Sequence, residues 1–374
     1  MFRMLYPFLA VFARGIGVDL STISLALTLR SFTGVFAPFL AFIGDSRGRK
    51  IGMLTGLATF IIGLVVVMIW PTVPGFLAAL ILSMLGKYIY DPSMQAYLGD
   101  RVTYQRRGRV LAITELSWSL SFLVGVPLMG FLIARYGWQA PFPVLALLGL
   151  MAFGVMAWMI PLDELKPDRI VGFRSNVKMI AAYSPVLAGL AMAMLFSAAN
   201  EVINLVFGIW LENSFGLIIA ALGAAAAVIG FSELGGESLA AAFTDRLGKP
   251  LAIGIGVFLN CLAALLLPIL GTSTAGAVIG LFIFYLTFEF ALVSSVPMMT
   301  EVMPAARATV MAFTTASVSL GRAMGALIAS PLFLFGESSS SIPDILPNAL
   351  AAILLNAAAL VALRYFQQGI KSRA

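Results

Sequence analysis

The chain has 374 residues; 61% are hydrophobic and only 11% are charged, with 23 basic against 17 acidic side chains. Soluble domains run near roughly 45–50% apolar and about 25% charged, which excludes a water-soluble globule, and a disordered chain lacks this apolar content. Cys261 is the single cysteine and histidine is absent, so an internal disulfide is excluded and the usual zinc ligands, haem ligands and proton shuttle are missing. The net charge of +6 fits basic loops beside a bilayer better than a nucleic-acid surface.

A spanning helix takes roughly 20 apolar residues. Twelve are predicted, over roughly 1–17, 20–43, 51–70, 75–98, 109–136, 138–160, 184–211, 217–243, 250–270, 275–296, 306–334 and 346–365. Pro71 and Pro74 part the third from the fourth, and the Gly271–Gly276 turn parts the ninth from the tenth. The first is short: about 17 residues at 1.5 Å each reach roughly 25 Å, less than a 30 Å hydrocarbon core. Arg3 then lies within the membrane, and a missing portion of this helix is expected upstream. The first residues show neither the charged start nor the small-residue cleavage site of a signal peptide.

The basic residues set the orientation. Arg47, Arg49 and Lys50 follow the second helix; Arg101, Arg106, Arg107 and Arg109 follow the fourth. Lys166, Arg169, Arg174 and Lys178 follow the sixth, Arg246 and Lys249 the eighth, Arg307 the tenth, and Arg364, Lys371 and Arg373 end the chain. The alternate loops are nearly free of Lys and Arg, with Arg135 the main exception. The positive-inside rule then puts both termini in the cytoplasm of a multi-pass protein of the inner (plasma) membrane.

The sequence repeats itself at an offset of 200 residues: Asp45-Ser-Arg-Gly-Arg-Lys50 returns as Asp245-Arg-Leu-Gly-Lys-Pro250. In the same register Arg107, Val110, Ala112, Thr114, Ser117, Ser119, Leu120 and Gly125 return as Arg307, Val310, Ala312, Thr314, Ser317, Ser319, Leu320 and Gly325. Gly56 and Gly256 match as well. Duplicated halves with a site between them are an architecture of alternating-access transporters. The expected division is a six-helix half over 1–160, a polar cytoplasmic linker over 161–183, and a second six-helix half over 184–374.

These loops resemble the signature of the major facilitator superfamily, roughly G-x-x-x-D-R-x-G-R-R/K. Asp45, Gly48, Arg49 and Lys50 match it, with Ala41 and Ser46 in place of the first Gly and Arg; Asp245, Arg246, Gly248 and Lys249 match in the second copy, with Ala241 for Gly. Gly125-Val-Pro127-Leu-Met-Gly130 partly resembles the G-P-x-x-G-G antiporter motif. The general style is similar to the sugar- and drug-efflux permeases of bacteria. The resemblance implies an all-α membrane fold of twelve helices in two pseudo-symmetric halves. It also implies that Asp45, Gly48, Arg49, Asp245, Arg246 and Gly248 form a cytoplasmic gating motif, the acid latching onto a facing helix N-terminus. The competing reading of the basic residues is solvated, positive-inside charge.

Apart from Arg3 and other charges within a turn of a span end, nine charges fall inside the predicted spans: Arg30, Lys87, Asp91, Glu115, Glu201, Glu233, Glu237, Glu289 and Arg322. Each is costly there and needs a partner or a wet cavity. In the family fold, helices 1, 4, 7 and 10 line the cavity, which makes Lys87, Asp91, Glu201 and Glu289 the candidates for substrate contact or proton coupling. Lys87 and Glu289 share a depth of about 18 Å from the cytoplasmic ends and are expected to approach in one state. The competing reading pairs Lys87 with Asp91, one turn along the same helix. Family packing also sets helix 2 beside helix 11 and helix 5 beside helix 8, so Arg30, Glu115, Glu233, Glu237 and Arg322 are read as inter-half charges. Glu115 would meet Glu233 and Glu237, as struts that switch partners or as proton-binding carboxyls with raised pKa values. Tyr88, Tyr90 and Trp118 are read as packing residues or ring contacts for a substrate.

No G-x-x-x-x-G-K-[ST] loop and no H-E-x-x-H occurs, and the loops are too short for a catalytic domain. The expectation is therefore a secondary transporter and not an enzyme. It needs no cofactor, moves a small organic solute on a proton or other ion gradient, works as a monomer in the lipid bilayer, and has no nucleic-acid partner. Efflux is the leading direction, with uptake symport or exchange as alternatives within transport. A membrane receptor or a membrane enzyme is the alternative from another class.

Overall fold

Uncharged stretches become helices because hydrocarbon offers no partner to a backbone N–H or C=O, so each bonds within its own segment. The computed structural model describes residues 1, 3–40, 47–101, 120–161, 173–303, 307–339, 341 and 343–371. Among them every regular element is helical. The first are α1 (Leu9–Ile16), α2 (Leu20–Phe32), α3 (Arg49–Ile69), α4 (Val73–Arg101), α5 (Val126–Tyr136) and α6 (Pro141–Met159), followed by a short helix at Phe173–Ala182. They continue as α7 (Ser184–Asn204), α8 (Ile219–Leu247), α9 (Lys249–Leu270), α10 (Thr274–Glu301), α11 (Arg307–Ser338) and α12 (Leu346–Lys371). Among the described residues, 10 helical stretches are long and apolar enough to cross a membrane, and Ser121–Tyr136 is a shorter apolar helix.

The ends follow local chemistry. α1 has 8 residues, or about 12 Å, and follows a tight turn at Arg3–Leu5. Gly17, at φ 79°, closes it with an N–H to Ala13 O. Asp19 caps α2, its side chain accepting from Thr22 N at 3.0 Å. The bonds from Thr22 hold the Asp19 carboxyl below the usual carboxylate range. α2 tightens at Thr33–Phe36 before Ala37–Leu40. α7 breaks at Leu205 and Val206 and resumes as Phe207–Phe215, so the expected seventh helix is two pieces.

Packing repeats at the same offset as the sequence. α3 packs on α4 and α6; α9 packs on α10 and α12. A Cβ at Gly56 would stand 2.8 Å from Tyr90 Cβ, and one at Gly256 would stand 2.9 Å from Phe290 Cδ1. Small residues at such crossings let membrane helices approach closely. Gly48 (φ 97°) and Gly248 (φ 84°) hold the same left-handed turn before α3 and α9, where a side chain would be strained. Between the first six helices and the last six, α2 packs on α11 and α5 on α8, as the family resemblance implies.

Buried amides tie five of the last six helices into two groups. Asn260 donates to Phe284 O at 2.7 Å and accepts from Asn356 at 2.8 Å, joining α9, α10 and α12. Asn348 donates to Val202 O at 3.1 Å and Ala329 O at 2.8 Å, joining α12 to α7 and α11. Asn348→Ala is expected to cost about 0.6 kcal/mol per lost bond, and up to about 1.7, in a reversible unfolding titration in mixed micelles. An unchanged midpoint would refute this role.

Candidate functional site

Polar side chains placed mid-helix by an apolar sequence must find one another, because lipid offers no alternative. The tight turn at Arg3–Leu5 and the start of α1 aim two of them inward. Arg3 Nη1 meets Glu233 Oε1 of α8 at 2.5 Å, with its guanidinium 4.3 Å from the centroid of the Phe122 ring. Tyr6 lies between a cation and an anion. Its hydroxyl accepts from Arg30 Nη2 of α2 at 2.9 Å and donates to Glu201 Oε1 of α7 at 2.9 Å. Asn204 Nδ2 donates to Glu201 Oε2 at 3.2 Å, and Tyr285 of α10 donates to Asn204 Oδ1 at 2.7 Å. Arg30 is 1% exposed and Glu201 0%, so both depend on this chain of hydrogen bonds.

The remaining predicted residues fall around this core. Glu289 is 7% exposed and lies against α8, where a Cβ at Gly236 would stand 2.7 Å from its Cβ. Glu233 and Glu237 are the acids within electrostatic reach of it. Lys87 is salt-bridged to Asp91 on α4, the local pairing that competed with an approach to Glu289. Arg322 stands on α11 between Ser319, which bonds Tyr88 at 2.8 Å, and Ser330, which bonds Ser24 of α2. The tightened turn after α2 fits here because Gly34 has no side chain: a Cβ would fall 2.1 Å from Ser319 Oγ. Asp245 and Arg246 are exposed at the end of α8, and Gly48 and Arg49 open α3. Asp45 and Glu115 lie outside the described residues, as does Trp118.

A second polar group caps the bundle end away from Gly48 and Gly248. Arg14 Nη2 bonds Glu212 Oε1 at 2.6 Å, Asn213 bonds Glu337 at 2.7 Å, and Ser214 bonds Asp344 at 2.6 Å.

Sequence reasoning found Arg30, Glu201 and Glu233 but missed their partners. Hydropathy places Arg3 inside the membrane without giving it a role, and nothing in it singles out Tyr6, Asn204 or Tyr285. The available signal was Asn200, Glu201 and Asn204 within one turn of an otherwise apolar helix. Chemically, two central links that join the first six helices to the last six stand out among the described contacts: the Arg3–Glu233 ion pair and the hydrogen-bond chain through Tyr6. Both respond to the charge of a carboxylate.

Comparison with known proteins agrees with this architecture. The structure is similar to the nucleoside transporter NupG (TM-score 0.75, 13% identity, 98% of this chain and 96% of that one). It is also similar to the peptide transporter POT in complex with alafosfalin (TM-score 0.73, 15% identity, 98% and 91%). At these identities the likeness is one of fold. Among curated relatives, the MFS-type transporter YbcL of Bacillus subtilis is 23% identical over 312 residues, 81% of this chain and 79% of YbcL. YwfA of the same organism is 34% identical over 139 residues, 36% of this chain and a 33% share of YwfA. The multidrug resistance protein MdtH of Blochmanniella floridana is 27% identical over 174 residues, 45% of this chain and 43% of MdtH. Family and neighbours are transporters rather than enzymes, and transport across a membrane is the function they share. The sequence model of the Major Facilitator Superfamily matches residues 1–336, and the chain belongs to that family.

Proposed function

We propose that this protein is a secondary active transporter that exports a small organic solute in exchange for protons. Its halves, 1–160 and 184–374, rock about the central site, with 161–183 as a cytoplasmic linker. The observation that carries the reading is Glu201. It is a wholly buried carboxylate on α7, held by Tyr6 from the opposite half and by Asn204. A proton on Glu201 removes the charge that Tyr6 bonds, and so loosens the link between halves. Glu289, on α10, is the second candidate carrier, with Lys87 and Asp91 facing the same pathway from α4. The relative named a multidrug resistance protein supports export as the direction. The gating motif, comprising Asp45, Gly48, Arg49, Asp245, Arg246 and Gly248, then lies on the cytoplasmic side, with both termini.

The experiment is flux in proteoliposomes. Vesicles loaded with a pH-reporting dye are challenged with a solute panel under an imposed proton gradient. Expected is solute-dependent proton movement, reduced at least about tenfold by Glu201→Gln and by Glu289→Gln, the scale of one lost proton-transfer or charge-assisted contact. Full proton-driven flux in both variants would remove these residues from the coupling path. Solute accumulation down the same gradient, in place of exchange against it, would identify uptake symport.

A further inference from the structure

Among the described residues, the cations deep in the spans divide into those with a partner and one without. Arg3 is taken by Glu233, Lys87 by Asp91, and Arg30 bonds Tyr6. Among the described residues no carboxylate pairs with Arg322, and its buried Nε has no acceptor. A guanidinium keeps its charge at any attainable pH and offers five donors in a planar fork. Leaving such a group unpaired in mid-span is costly, so it is retained for a partner that comes and goes.

The neighbours of Arg322 define what that partner meets. One side of α11 carries Ser319 and Ser330, which bond Tyr88 of α4 and Ser24 of α2. The other side carries Gly321 and Gly325, where an added Cβ would stand 2.0 Å from Met194 O and 2.5 Å from Ala198 O of α7. At 100° per residue, Arg322 falls between these two faces, so it looks into the gap between α7 and the pair α2 and α4. Tyr6, Glu201, Tyr88, Glu233 and Glu289 are among the groups within its electrostatic reach, drawn from five separate segments and both halves. The residue as a whole stays partly exposed although its Nε is sealed. The far end of the guanidinium therefore faces open space.

We propose that Arg322 is the docking point for an anionic group, a carboxylate or phosphate, on the transported solute. This rests on the transporter reading above and narrows its substrate class to small organic anions. A planar fork binds such a group through two parallel charge-assisted hydrogen bonds.

The test uses the full chain in lipid nanodiscs. Benzoate and inorganic phosphate serve as anionic probes, and benzamide and benzylamine as neutral and cationic counterparts of benzoate, with binding read by thermal unfolding and by titration calorimetry. Expected is stabilisation by benzoate or phosphate and none by benzamide or benzylamine. Arg322→Gln weakens anion binding about tenfold to a hundredfold, the value of a charge-assisted bond, while Arg322→Lys keeps part of it. The proposal is overturned if neither anion binds at millimolar concentration, if benzamide matches benzoate, or if Arg322→Gln binds anions as tightly as the parent. The benzoate–benzamide comparison needs no variant, so it stands should Arg322→Gln fail to fold. Binding is read without flux, so the two readings fail separately: anion binding with no proton-driven transport counts against the transporter reading and keeps Arg322 only as an anion site, and proton-driven flux of a cation with no anion binding overturns this proposal and keeps the transporter reading.

Discussion

Arg3→Ala is expected to destabilise the protein by about 3–5 kcal/mol, the cost of stripping one partner from a buried ion pair. The pair is closed on both sides: the Arg3 side chain is 12% exposed and that of Glu233 is 5%. Glu233 Oε1 accepts from Arg3, while Oε2 is buried with no acceptor or donor of its own. Without the guanidinium, the carboxylate would be left buried with another acid, Glu289, within electrostatic reach and no bonded cation. Replacing both groups by apolar ones, Arg3→Met with Glu233→Leu, should recover most of the loss, since the paired charges gain little over a packed isostere. A double-mutant cycle by reversible unfolding in micelles measures this. A loss for Arg3→Ala below about 1 kcal/mol, the size of an exposed pair, would refute the buried-pair reading.

Tyr6→Phe is the second large effect, because one hydroxyl serves two charged groups. It accepts from Arg30 and donates to Glu201, so deleting it removes two charge-assisted bonds and leaves their ends in a sealed site. At about 1.5 kcal/mol or more for each, the expected loss is about 3 kcal/mol in unfolding. Flux should fall with it, as the halves lose their central link. The variant Glu201→Gln isolates the anion: Tyr6 keeps a neutral acceptor, and Tyr6→Phe should cost less in that background. Equal cost in both backgrounds would mean that Tyr6 acts by packing alone.

How much of this was legible beforehand differs by level. The helices were, because an apolar run of about 20 residues has one stable form in a bilayer. The repeat was legible too: Gly48 and Gly248, and Gly56 and Gly256, recur as sequence and return as the same turn and the same close crossing. The break in α7 at Leu205 and Val206 was not, since neither residue carries a turn signal. The packing of α2 on α11 and α5 on α8 came from the family resemblance and is what the structure shows.

The charged residues mark the boundary. Composition alone established a membrane protein, and the placement of its charges singled out a small set inside the spans. That much follows from hydropathy, because the cost of a buried charge depends on the residue and its depth. Which charge meets which depends on how separate helices pack. Arg3 and Glu233 are 230 positions apart, Tyr6 and Glu201 195, and no local rule links residues at such distances. Only the tertiary structure decided that Glu233 takes an arginine rather than another carboxylate, that a tyrosine stands between Arg30 and Glu201, and that Arg322 is left facing the centre.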